Sequence, residues 1–72
     1  MGTKIYVLVA YTKDGSIVDL GYSVSLEVTR SEINSNPTKG QLKELGINEC
    51  TFKIRDNYYL TNYYGLEHGN AN

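Results

Sequence analysis

Between Val18 and Val28 every second residue is apolar. Val18, Leu20, Tyr22, Val24, Leu26 and Val28 alternate with Asp19, Gly21, Ser23, Ser25 and Glu27. A helix would repeat its apolar positions at three and four, so this period predicts a strand with one face against a core. Residues 4–12 (KIYVLVAYT) are apolar and β-branched, which predicts a preceding strand buried on both faces. Asp14-Gly15 between them suits a two-residue type I′ turn, whose residues must both tolerate positive φ.

That turn sets Tyr11 opposite Val18, Val9 opposite Leu20, Val7 opposite Tyr22 and Ile5 opposite Val24, an apolar pair at every step. A one-residue slip would set the same side chains against Asp19, Gly21 and Ser23. Gly21 opposite Leu8 marks a bulge or a close backbone approach. The second strand outruns the first, because Leu26 and Val28 would face only Thr3 and Met1. The hairpin's other face, with Tyr6 and Leu8, is also more apolar than a solvent face should be. Tyr6, Leu8, Leu26 and Val28 are therefore the expected oligomer interface, and a homodimer is the expected assembly.

The middle of the chain is less strongly patterned. Thr29-x-x-Glu32 has capping-box spacing for a short helical turn through Ile33. Asn36-Pro37 predicts a helix over 37–45 with Asn36 as N-cap and Pro37 in its first position, ended by Gly46. Residues 47–55 alternate again, with Cys50, Phe52 and Ile54 inward and Thr51, Lys53 and Arg55 outward. Asp56-Asn57 then predicts a second two-residue turn, after which Tyr58 faces Arg55 and Leu60 faces Lys53. The expected fold is thus α+β: a small β-β-α-β-β domain over residues 1–64, a mostly antiparallel sheet of two hairpins with one short helix. Residues 65–72 lack any apolar pattern and are expected to be a flexible C-terminal tail.

Seventy-two residues bury a small core, and association is a common remedy for a short chain without cross-links. The lone cysteine, Cys50, excludes an intrachain disulfide and every multi-thiolate zinc site. No apolar leader and no stretch of membrane-spanning length is present, so the expectation is a cytoplasmic protein that does not enter a membrane. With a net charge of −1 there is no overall basic field to attract nucleic acid.

Catalytic chemistry finds no footing. His68, the single histidine, lies in the expected tail, where no scaffold would hold a general base. Cys50 is expected among Phe52 and Ile54 rather than in the electropositive, accessible setting of a reactive thiolate. The carboxylates are dispersed, with Asp14 and Asp56 in turns, and no glycine-rich phosphate loop precedes a helix. The chain reads as non-enzymatic, with no cofactor.

What remains is tyrosine. Seven of them, two pairs within 58–64, accompany Lys53 and Arg55. Tyr and Arg supply large contact area and charge at protein interfaces. Lys53, Arg55, Tyr58, Leu60 and Tyr64 are therefore the expected partner-binding face of a small interaction module. Its expected partner is a protein, and regulators or stoichiometric inhibitors encoded by phages and mobile elements have this size. The wealth of Tyr, Asn, Lys and Ile, all with AT-rich codons, agrees with such an origin. The alternative is a nucleotide or short single-stranded nucleic acid stacked on the same tyrosines.

Overall fold

The computed structural model describes residues 2–61, and Tyr64, His68 and the expected tail lie outside them. Three strands, β1 (Lys4–Thr12), β2 (Ile17–Ser23) and β3 (Cys50–Tyr59), form one antiparallel sheet in the order β2-β1-β3. Between β2 and β3 lie α1 (Leu26–Ser31), a single 3-10 turn (Glu32–Asn34) and α2 (Asn36–Glu44). The α+β class stands, with three strands and two helices among the described residues in place of four strands and one helix.

β1 is central, as a segment apolar on both faces must be. Ile5, Val7, Leu8, Val9 and Ala10 are all buried. Ile5, Val7 and Val9 form one core cluster, with Tyr11, Ile17 and Tyr58 packed against it. On the opposite face Leu8 meets Val28 and Thr29 of α1 around one depression. Val18, which pairs with Ala10, shares another depression with Leu45 and Ile47. α1 therefore lies on the Leu8 face, and the 45–47 segment after α2 borders Val18.

The first hairpin keeps the expected pairs Val7–Tyr22 and Leu8–Gly21 but departs near its turn. The Gly15 amide donates to Thr12 O and the Thr12 amide to Ser16 O, which makes the loop three residues long. Gly15 has φ +89°, and among the described residues no non-glycine has positive φ, so the type I′ conformation is not adopted. Asp14 instead accepts through Oδ1 from the Ser16 amide at 3.0 Å and from the Thr12 hydroxyl. The longer loop shifts the pairs to Tyr11–Ile17, Ala10–Val18 and Val9–Asp19. A bulge at Leu20 restores the register, and Gly21 beside it takes φ +136°.

Strand β2 stops at Ser23, and the expected continuation through Val28 is overturned. The Ser25 hydroxyl accepts from the Val28 amide at 3.3 Å and caps α1, with Glu27 in the first turn and Arg30 in the last. Alternation over 24–28 did not encode a buried face, for Val24, Leu26 and Val28 are 59, 38 and 48% exposed. The helix buries Thr29 instead. Thr29 Oγ1 lies 3.0 Å from Ser25 O and 3.3 Å from Tyr6 O, so it ties α1 to β1.

α2 starts one residue earlier than expected, with Ser35 as its N-cap and Thr38 N donating to Ser35 Oγ. Its end is as the sequence predicts. Gly46 (φ +73°) donates to Lys43 O and Ile47 to Leu42 O, the paired bonds of a Schellman motif.

The second hairpin is also overturned. Asp56-Asn57 does not turn the chain but forms a bulge within β3, which pairs with β1 from Thr12–Cys50 to Lys4–Tyr59. Neither residue is glycine, so a turn needing two positive φ values was the costlier course. The open edge of β1 accepts the whole ten-residue strand.

Candidate partner-binding face

Directly opposed residues in an antiparallel pair share a face. Lys53 opposes Val9, Arg55 opposes Val7 and Tyr58 opposes Ile5. These three therefore sit on the face of the Ile5–Val7–Val9 cluster, together with Tyr11 from β1. The bulge makes this possible. Arg55 and Tyr58 are three positions apart and would point to opposite faces in a regular strand, but the extra residue at 56–57 brings them to the same side.

The side chains form a connected lattice. Arg55 Nη1 donates to the Tyr11 hydroxyl at 3.5 Å, and the Arg55 Cζ lies 6.0 Å from the centre of the Tyr58 ring. Lys53 Nζ lies 5.6 Å from the centre of the Tyr11 ring. Tyr11 thus holds one cation against its ring and another at its hydroxyl. It was not among the expected binding residues because it ends a run read as core. Its signal was its register, two steps along the strand from the residue that faces Lys53.

Charge on this face is unbalanced. Neither Lys53 nor Arg55 has a carboxylate within ion-pair distance among the described residues, whereas Lys4 reaches Asp56 at 3.7 Å and Lys13 reaches Glu49 at 2.6 Å. Lys4 also lies 5.6 Å from the Tyr6 ring, on the opposite face. Asp19, opposite Val9, belongs to the Lys53 face, and its Oδ1 accepts from the Gly21 amide at 2.9 Å.

The other expected residues are dispersed. Leu60 follows β3, donates its amide to Thr3 O, and is exposed outside the lattice. Leu8 is 2% exposed and serves the core rather than an outer surface. Tyr6 is half-buried on β1. Leu26 and Val28 are exposed on α1, and Tyr22 and Val24, which precede it in the chain, are exposed as well.

A depression of about 570 Å³ lies between the first turn and the 45–49 segment. Its carboxylates are already engaged, Asp14 by the turn and Glu49 by Lys13. Cys50 is a half-buried free thiol at the end of β3, opposite Thr12. Among the described residues no three metal-ligating side chains cluster, and no helix is long and apolar enough to cross a membrane.

No protein-family model matches this sequence, and neither the curated proteins nor the solved structures contain a match to the chain.

Proposed function

We propose that this chain is a non-catalytic binding module for a protein partner, acting as a regulator or stoichiometric inhibitor through the face of Tyr11, Lys53, Arg55 and Tyr58. One observation carries this reading. Two cations without carboxylate partners among the described residues are held beside tyrosines over the Ile5–Val7–Val9 cluster. Aromatic rings beside an oriented guanidinium are the side chains that dominate protein contacts. Capture of proteins from the source cell on immobilised chain tests it. Arg55→Ala with Tyr58→Ala should retain the circular dichroism of the parent and lose the captured partner. Capture that survives the double change would place the binding surface elsewhere.

The alternative is a nucleotide or short single-stranded nucleic acid stacked on the same rings, favoured by the cation beside each ring. It predicts tyrosine fluorescence changes on adding mixed nucleotides or oligonucleotides, and a flat titration at millimolar concentration removes it.

Self-association is a separate proposal and rests on the exposed apolar run Tyr22, Val24, Leu26 and Val28. Light scattering should show a dimer that Leu26→Ser with Val28→Ser converts to monomer. A monomeric parent at high concentration would end this proposal.

A further inference from the structure

Resting on the reading of the Tyr11–Lys53–Arg55–Tyr58 face as the binding surface, we propose that its occupant is an acidic protein segment. One carboxylate would seat on the Arg55 guanidinium and a second on Lys53. The argument is charge complementarity on a preorganised surface. Arg55 is half-buried, with Nη1 directed to the Tyr11 hydroxyl and its plane beside the Tyr58 ring. Its remaining N–H groups have no partner among the described residues. A guanidinium fixed in this way presents a fork that matches the two oxygens of a carboxylate and loses little freedom on binding. Lys53, exposed and 5.6 Å from the centre of the Tyr11 ring, supplies a second positive charge within the same lattice. The closed apolar cluster behind them lowers the local dielectric, which strengthens a charge pair over its value in open water.

The same inventory disfavours a nucleic-acid backbone. A polyphosphate track gains affinity by neutralising many phosphates and releasing their counterions. This face offers two such cations, carries Asp19 as well, and belongs to a chain of net charge −1.

The test is an amide-shift titration of the isotope-labelled full chain at low salt with four probes. They are a disordered Glu/Gly peptide, its Gln/Gly counterpart, a single-stranded oligonucleotide and inorganic phosphate. The Glu peptide should give saturable shifts at Tyr11, Lys53 and Arg55 that added salt suppresses, and the Gln peptide should give none. Lys53→Gln with Arg55→Gln should weaken binding at least about tenfold while distant amides stay unmoved. If Arg55→Gln disturbs the fold, Lys53→Glu at its exposed position carries the test, and repulsion should abolish the response. No saturable response to the Glu peptide, or tighter binding of the oligonucleotide, overturns the proposal. The two levels separate in capture. A partner lost by a Tyr11→Ala, Tyr58→Ala chain that keeps the parent's circular dichroism, yet retained by the charge-removing pair, keeps the face and overturns the acidic occupant. A partner retained by both overturns the face itself.

Discussion

The Arg55 guanidinium and the Tyr11 hydroxyl meet at 3.5 Å, although 44 positions separate the two residues in the chain. Arg55 opposes Val7, so the contact reaches along β1 past Val9 and joins the two edges of the β1–β3 ladder over a buried cluster. Charge-aromatic and hydrogen-bond contacts at a half-buried site are each worth about 0.5–1.5 kcal/mol. A double-mutant cycle of Tyr11→Phe and Arg55→Ala, read by urea denaturation, should show coupling of about 0.5–1 kcal/mol. Strict additivity would mean that the contact contributes nothing to the fold.

Thr29 is 2% exposed, and its hydroxyl donates to Tyr6 O and so links α1 to the backbone of β1. Thr29→Val keeps the volume and removes the hydroxyl. Loss of the link should destabilise the fold by about 1–2 kcal/mol. Because β1 and β2 keep their own ladder, the loss should fall first on α1, read as faster hydrogen exchange over 26–31.

Two glycines predict opposite signs. Gly40 lies in α2 with open space where a Cβ would stand, so Gly40→Ala should stabilise by about 0.5–1 kcal/mol. Gly21 has equal space but φ +136°, so Gly21→Ala should destabilise by about 1 kcal/mol or more through backbone strain alone. Thermal denaturation of the two variants side by side checks both. A common sign would contradict the assigned conformation of one of them.

Asp14 fixes the direction of one pH effect. The Thr12 hydroxyl, and then Ser16, donate to its carboxylate and hold its pKa below the ordinary 3.8. The folded state therefore binds fewer protons than the unfolded state between that value and the lower folded one. The stabilisation it gives is present above the ordinary value and is lost as pH falls through the folded pKa. Carboxyl-carbon titration should place the Asp14 midpoint below that of a model peptide, and Thr12→Val should move it back up.

The helix ends show how much local chemistry was legible. Gly46 closes α2 through the expected paired bonds, because a left-handed residue after a helix is a local requirement that glycine meets at low cost. The start slipped by one residue because Ser35 and Asn36 are both good caps, and Ser35 Oγ is the one that receives the Thr38 amide. At 24–28 a two-residue period gave the wrong element. Ser25 supplied a cap, and no core lay ready to receive Val24, Leu26 and Val28.

The sequence by itself determined that β1 is buried on both faces, that a hairpin joins it to β2, and that Lys53 and Arg55 share one face of β3. Each of these follows from residue type and a period of two, which act over a few neighbours. Only the tertiary structure decided that Asp56-Asn57 is a bulge instead of a turn, because the open edge of β1 is what lets β3 run on. That choice gathered Arg55, Tyr58 and Tyr11 into one lattice. A binding face built across two strands depends on register between distant segments, and no local pattern contains it.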